Sequence, residues 1–157
     1  MPEEKTIYVD ASGKVAGRLS SIVAKKLLSG YKVVILNAEK AIITGKKRMI
    51  IGEYMKFMRV QSKINPRRFG PFKPKTPQGI LRHMIRGMLP RKKTKGREAL
   101  RRLKVYRGVP KALHSVEVED VPEADYRESP YGYLTIEEVA RSLGWRPVEE
   151  RVMEGGG

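Results

Sequence analysis

The sequence contains no cysteine and only two histidines, His83 and His114. The absence of cysteine excludes disulfides, thiolate zinc sites and cysteine nucleophiles. Two histidines leave almost nothing for a histidine-based metal cluster or catalytic site. No apolar run approaches the roughly 18 residues that are needed to span a bilayer. Residues 1–5 are charged and precede no apolar stretch with a small-residue cleavage site, so we expect no secretory signal.

Basic side chains dominate the composition. The 157 residues include 33 Lys and Arg against 17 Asp and Glu, which gives a net charge of +16. Residues 61–111 carry 17 basic side chains and one acid, Glu98, whereas residues 112–157 carry 4 basic and 11 acidic side chains. So dense a positive charge repels itself unless a polyanion screens it. Prolines and glycines interrupt the basic segment, which favours a nucleic acid over a membrane surface, since membrane binding calls for a basic amphipathic helix.

The amino-terminal third predicts an α/β fold in a single domain with a packed core. Residues 5–11 are rich in β-branched and aromatic side chains and predict a strand. Apolar residues then recur at helical spacing from Val15 to Leu27, before Ser29-Gly30 ends the helix. Residues 31–36 are nearly all apolar, as in a buried strand. This order predicts a βαβ unit with parallel strands and a right-handed crossover.

The rest of the chain contains helical segments and irregular segments. The pattern predicts one more short strand and three helices, at residues 41–44, 46–58, 77–89 and 96–103. Residues 60–75 hold three prolines and no helical period, and predict an extended basic loop. Residues 112–130 predict a linker with at most a short strand at 115–118. A capping box from Thr135 to Glu138 opens a last helix.

Two glycines follow the first predicted strand and begin the first helix, where a phosphate-binding loop would lie. The spacing of Gly13 and Gly17 fits neither a P-loop nor a dinucleotide fingerprint. A tight turn with close backbone packing explains both glycines without a nucleotide. Lys14 and Arg18, near the helix N-terminus, are candidates to hold one RNA phosphate.

The predicted helix at 77–89 has two distinct faces. At 100° per residue, its apolar face consists of Ile80, Leu81, Met84, Ile85 and Met88. Arg82, His83 and Arg86 share the opposite face, which is either simply solvated or in contact with RNA. His83 lies among cations, which argues against a role as a general base or a metal ligand. Gly87 costs the helix roughly 1 kcal/mol relative to Ala, which suggests that another backbone approaches closely there.

The strongest basic patch follows this helix, from Arg91 to Arg97 and again at Arg101-Arg102. In the preceding loop, four cations flank the rings of Phe69 and Phe72, a mixture that suits phosphates and unpaired bases. Plain solvation of the charges and packing of the rings on the protein itself are the alternatives. The acidic residues have no paired spacing and no calcium-loop pattern, so we expect neither an enzyme nor a cofactor. The acidic side chains at 117–125 indicate a solvated acidic surface that faces away from RNA or towards a basic neighbouring protein.

Two stretches resemble a known family. The pattern Ile85-Arg86-Gly87-Met88-Leu89-Pro90, five residues, Gly96-Arg97, five residues, then Leu103 to Gly108 is similar to the signature of large-subunit ribosomal protein thirteen. Residues 10–19, and the stretch from Asn37 to Lys47, also match that family's pattern. The short Ser29-Gly30-Tyr31 connection resembles the archaeal and eukaryotic branch.

The resemblance implies a three-layer α/β/α fold with a small, mostly parallel four-stranded sheet. It also implies a non-catalytic, cytoplasmic component of the large ribosomal subunit that binds large-subunit rRNA, supports early assembly and contacts neighbouring ribosomal proteins. The RNA-facing motif would be carried by Arg86, Gly87, Met88, Gly96, Arg97 and Lys104. A standalone RNA-binding regulator is the alternative, and the missing P-loop argues against a nucleotide-dependent enzyme.

We therefore expect an α/β core at about 5–60, a basic RNA-binding region at about 61–111 and an acidic tail with a helix at about 112–157. No membrane and no small-molecule substrate are expected. The predicted RNA-binding residues are Lys14, Arg18, Lys46, Lys47, Arg48, Arg67, Arg68, Phe69, Phe72, Lys73, Lys75, Arg82, His83, Arg86, Gly87, Arg91, Lys92, Lys93, Lys95, Gly96, Arg97, Arg101, Arg102 and Lys104.

Overall fold

The computed structural model describes residues 5–60, 63–69 and 73–150. The helices in this part of the chain are α1 (Ala16–Leu28), α2 (Lys47–Arg59), α3 (Pro66–Phe69), α4 (Pro77–Gly87), α5 (Thr94–Arg101) and α6 (Ile136–Ser142). The strands are β1 (Thr6–Asp10), β2 (Lys32–Leu36), β3 (Ile42–Thr44), β4 (Leu103–Val105) and β5 (Tyr133–Thr135). None of these helices is long and apolar enough to cross a membrane.

A parallel sheet confirms the βαβ prediction. β1 pairs with β2 in parallel, with Thr6 opposite Lys32, and α1 connects the two strands. β4 pairs with the other side of β2, also in parallel, with Val33 opposite Leu103. β2 is therefore the central strand of the order β1-β2-β4. Its burial on both faces explains its continuous apolar sequence.

The sheet differs in detail from the predicted four strands. In the described residues it has three, and β3 pairs instead with β5 in a separate antiparallel ladder. A fourth position beside β1 holds only an isolated parallel bridge between Val9 and Glu119. The pattern missed β4 and β5 because three residues are too few to show an alternation of apolar and polar side chains.

The core lies between the sheet and the helices α1, α4, α5 and α6. Leu19, Val23 and Leu27 of α1 are fully buried, and α4 and α5 both pack on α1. Ile85 of α4 and Val139 of α6 are buried in the same cluster, where these two helices meet. The hydrophobic core therefore also draws on elements after residue 60, beyond the predicted range of about 5–60.

The predicted helix boundaries are largely right. Thr76 caps α4 by accepting a hydrogen bond from the Gly79 amide at 3.2 Å, and the predicted capping box at the start of α6 is present. α4 ends at Gly87, two residues early, and leaves Met88 45% exposed instead of on the apolar face. The loop predicted at 60–75 contains the single helical turn α3, which starts with Pro66, a residue suited to the first turn of a helix.

Candidate nucleic-acid interface

The charged face of α4 is exposed because its opposite face is fixed in the core. Ile80 and Ile85 are buried against the protein, whereas Arg82 and Arg86 are exposed one turn apart. Two guanidinium groups thus project from one side of a helix whose orientation the core determines. This is the arrangement that the sequence predicted for the helix at 77–89.

His83 lies at the centre of this face. Its ring centroid is 5.7 Å from that of Phe57, which comes from α2. Burial lowers the pKa of His83, and the positive charges of Arg86 and Arg91 lower it further. The imidazole is therefore neutral near pH 7, so that it offers one hydrogen-bond donor and one acceptor among cations.

The basic residues after α4 continue the same surface. Arg91 affects His83 electrostatically, and its carbonyl oxygen accepts a hydrogen bond of 3.3 Å from Nε of Arg97 on α5. We define the α4–α5 basic surface as the exposed side chains of Arg82, Arg86, Arg91, Lys92, Lys93, Lys95, Arg97 and Arg101. None of them forms an ion pair with a carboxylate in the described part of the chain. The surface therefore carries positive charge that the described acids leave without direct pairing.

Other predicted contact residues lie outside this surface. Arg18, at the start of α1, and Lys104, on β4, are exposed, as are Arg67, Arg68 and Lys75. The exposed group at Lys46, Lys47 and Arg48 lies at the start of α2. Phe72 and the side chain of Phe69 lie outside the described residues.

Lys73 is engaged within the protein. Its ammonium group donates hydrogen bonds to the carbonyl oxygens of Phe57 and Val60, at the C-terminal end of α2. The same group stands 4.8 Å from the centroid of the Phe57 ring. Lys73 thus satisfies carbonyls that a helix end leaves without partners, which is a stabilising role.

Lys14 is placed differently from the prediction of a phosphate contact. Its side chain is 9% exposed and its ammonium group lies 2.9 Å from a carboxylate oxygen of Asp120 and also pairs with Asp125. Burial lowers the pKa of Lys14, but the hydrogen bonds to the two carboxylates outweigh it and leave the pKa raised. Lys14 therefore fastens the acidic segment to the core, and we leave it out of the interface.

Arg102 and Gly96 also have structural surroundings. Arg102 is half-buried, and its Nη2 donates a hydrogen bond of 2.6 Å to the carbonyl oxygen of Leu27, at the end of α1. Gly96 is buried against Pro90, where an added Cβ would overlap the backbone. Gly87 is the opposite case, because the space around its missing side chain is open. The close approach that the sequence suggested at Gly87 is therefore not made by the described protein.

The two signature stretches meet at the carboxyl ends of β2 and β4. Asn37, in a left-handed conformation with φ of 55°, donates its amide to the Gly108 carbonyl at 3.0 Å. The buried carboxylate of Glu39 accepts a hydrogen bond of 2.9 Å from the Gly108 amide. Residues of both stretches thus hold the backbone in place through hydrogen bonds within the protein.

The segment at 117–125 is packed against the protein's own lysines. Glu119 pairs with Lys26 at 2.8 Å, and Asp120 and Asp125 pair with Lys14. The prediction of a linker missed these contacts because lysines and acids about 100 residues apart carry no local pattern. Among the described residues, no group of three or more metal-ligating side chains is placed to hold a metal ion.

Comparison with known proteins agrees with the resemblance. Residues 4–112 match the model of the family described as "Ribosomal protein L13". The Large ribosomal subunit protein uL13 of Aeropyrum pernix is 42% identical over 92% of this chain and 93% of its own length. The proteins of the same name from Thermoplasma volcanium and Methanocaldococcus jannaschii are each 46% identical over 87% of this chain and 96% of their own lengths.

Proposed function

The chain belongs to the ribosomal protein L13 family, and we propose that it is a structural, non-enzymatic component of the large ribosomal subunit that binds large-subunit rRNA. The family prediction made from the signature is confirmed by the match and the relatives. The relatives are named as proteins of the large ribosomal subunit, which supports our proposal that this chain acts in that subunit, in the cytoplasm. What the chain binds there is inferred from its surface.

The α4–α5 basic surface carries this proposal. Five of its eight cations project from α4 and α5, and the other three lie in the short connection between these helices. Both helices pack on α1, so the backbone positions of the helical cations are set before any RNA binds. A rigid arrangement of charges loses less conformational entropy on binding than a mobile tail would. Arg86 and Arg97 suit phosphate groups, because a planar guanidinium can donate two parallel hydrogen bonds to one phosphate.

Two further features of this surface suit close contact with RNA. His83 supplies a neutral donor and acceptor between Arg86 and Arg91, which fits a base edge or a 2′-hydroxyl group better than a phosphate. Gly87 lets another backbone come close, because it has no side chain and no neighbouring atom of the described residues lies within 4 Å of an added Cβ. We expect phosphates to be held by the arginines and the sugar or base to lie near His83 and Gly87.

A role in early assembly follows from the same charges. RNA helices that converge repel each other through their phosphates, and a rigid patch of cations between them reduces that repulsion. In the segment at 117–125, Glu117 and Glu123 are exposed and form no ion pair within the described residues, so they offer negative charge to neighbouring ribosomal proteins. The predicted contacts with rRNA and with other proteins of the subunit thus use different parts of the chain.

The test is the salt dependence of binding to large-subunit rRNA. If about six phosphates are contacted, the logarithm of the binding constant should fall with the logarithm of salt concentration with a slope of roughly −4 to −5. Replacing Arg86 and Arg91 together with Ala should make the slope less steep by about 1.4 to 1.8. Lys25→Ala is the matched control, because this exposed lysine lies beside the acidic segment.

The control removes the same kind of charge from a different surface, so it should leave the slope unchanged. A flat salt response of the unaltered protein would contradict rRNA binding through phosphates. A slope made less steep by about 0.7 to 0.9 in Lys25→Ala, half the effect of the arginine pair, would contradict the assignment of the α4–α5 basic surface, because it would show that total charge alone decides.

A further inference from the structure

Strand pairing brings two distant parts of the chain together at the start of α2. In the β3–β5 ladder, Thr44 lies opposite Tyr133. The Gly45 amide donates a hydrogen bond of 3.1 Å to the carbonyl oxygen of Gly132. The turn that contains Tyr131 therefore lies directly beside the exposed cations that begin α2. No sequence pattern connects these parts, which are more than 80 residues apart.

The turn exposes two tyrosine rings. Tyr131 is 62% exposed and Tyr133 is 52% exposed. Tyr133 is held against Tyr126, with ring centroids 4.8 Å apart. Gly132 has φ of 76°, a left-handed conformation that suits glycine, and its amide donates to the Ser129 carbonyl at 3.2 Å. The rings thus project from an ordered turn instead of a loose tail.

Positive charge lies beside the ring of Tyr131, the more exposed of the two tyrosines. The ammonium group of Lys46 lies 5.8 Å from the Tyr131 centroid, and Lys47 and Arg48 follow as exposed residues. A groove of about 360 Å³ runs between Lys46, Met49 and Tyr131. That volume is at the lower end of the range for small-ligand sites, roughly 300–1,000 Å³. The groove combines an aromatic wall, an apolar methionine and an ammonium group.

We propose that Tyr131 and this groove hold one unpaired nucleotide of the RNA, with its base on the Tyr131 ring and its phosphate beside Lys46. An aromatic face can stack on any base, but only on one that is not already stacked within a duplex. The groove is lined by one cation, Lys46, and one acid, Glu53. The exposed side chains of Lys47 and Arg48 follow Lys46 at the start of α2 and add positive charge, which favours RNA over a basic protein. This inference rests on the proposed function and adds a second RNA contact, separate from the α4–α5 basic surface.

Binding measurements on Tyr131 variants test the proposal with the full chain and large-subunit rRNA. Tyr131→Ala should weaken binding by about 5- to 140-fold, the effect of losing one stacked base. Because no charge is removed, the salt slope should stay the same. Tyr131→Phe keeps the ring and should bind as the unaltered protein does. Lys46→Ala should make the salt slope less steep by about 0.7 to 0.9, the effect of losing one phosphate contact.

Photocrosslinking gives an answer that does not depend on a variant. In large subunits assembled with 4-thiouridine-substituted rRNA, the peptide that contains Tyr131 should crosslink to a nucleotide outside any helix. A crosslink from this peptide to a nucleotide within a duplex would overturn the proposal. The same holds if the peptide gives no crosslink to rRNA and contacts only another protein. Full affinity of Tyr131→Ala would also overturn it. If Arg86 and Arg91 still control the salt slope in that case, the proposed rRNA binding stands and only the nucleotide site fails.

Discussion

Gly96 faces the carbonyl group of Pro90 so closely that a Cβ atom added to Gly96 would lie 2.0 Å from the Pro90 oxygen. The contact joins the first turn of α5 to the proline that follows α4, and it leaves no space for any side chain. Gly87 lies nine residues earlier in the same signature, and in the described part of the chain no atom beyond its own helix backbone lies within 4 Å of an added Cβ. One glycine is thus required by the protein's own packing, whereas the other is not.

Gly96→Ala should destabilise the protein. The neighbouring atom is backbone oxygen, which cannot move aside as a flexible side chain can, so α5 must shift away from Pro90. We expect the free energy of unfolding to fall by about 1–3 kcal/mol, the usual effect of forcing an extra carbon into a packed site. Urea denaturation followed by circular dichroism measures this change. A variant as stable as the unaltered protein would show that Gly96 is not needed for packing.

Gly87→Ala should affect RNA binding and not stability. Alanine favours a helix over glycine by up to roughly 1 kcal/mol, so the free protein should be as stable as before or slightly more so. If RNA backbone occupies the open space at Gly87, the added methyl group should weaken rRNA binding measured by filter retention. Unchanged affinity would mean that RNA does not approach this residue closely.

The same two glycines show what the sequence could and could not reveal. Helical periodicity predicted both faces of α4, and local patterns located α1, β2 and the capping box, because these signals arise within a few residues. Separate roles for Gly87 and Gly96 could not be read from spacing, because the difference lies in contacts with atoms outside the local helix. The sequence suggested a phosphate contact for Lys14 and not an ion pair for the same reason, since its partners lie more than 100 residues away in the chain.

Alanine variants of Arg101 and Arg102 should have different effects, one on rRNA binding and the other on the stability of the fold. Arg102 donates a hydrogen bond to the last turn of α1, whereas Arg101 is exposed. Arg102→Ala should cost about 1.5–3 kcal/mol of stability, the range for a hydrogen bond from a charged group. Arg101→Ala should leave the melting temperature almost unchanged and weaken rRNA binding. Thermal unfolding and rRNA binding measured on both variants check this. If Arg101→Ala lowered the stability and Arg102→Ala weakened only rRNA binding, the roles of the two residues would be the opposite.

The Lys14–Asp120 pair should give stability a defined pH range. Hydrogen bonding to Lys14 lowers the pKa of Asp120 below its ordinary value of 3.8. The stability that Asp120 contributes is therefore present above pH 3.8 and is lost as the pH falls through the folded pKa of this carboxylate. The raised pKa of Lys14 means that its contribution is complete below 10.5 and is lost as pH rises through the folded value.

Lys14→Met should therefore lower the melting temperature at pH values between the folded pKa of Asp120 and that of Lys14. Below and above this pH range, the melting temperatures of the variant and the unaltered protein should differ less. Thermal unfolding across the pH range measures the profile. Glu117→Gln is the control, because this exposed acid lies in the same segment and forms no ion pair within the described residues. If both variants gave the same profile, the pairing of Lys14 would not be the cause.

His83 should make both stability and RNA binding depend on pH near neutrality. Burial, with Arg86 and Arg91, holds the pKa of His83 below its ordinary value of 6.5, so the unfolded chain takes up a proton more readily than the folded one. Stability of the free protein should therefore fall as pH falls through this range. A sugar or base that hydrogen-bonds to the neutral ring would lower the pKa of His83 further, so rRNA binding should release protons and weaken as pH falls through this range. Titration calorimetry in buffers of different ionisation enthalpy measures that release. His83→Gln should abolish both effects, and proton release that persists in this variant would place the titrating group elsewhere.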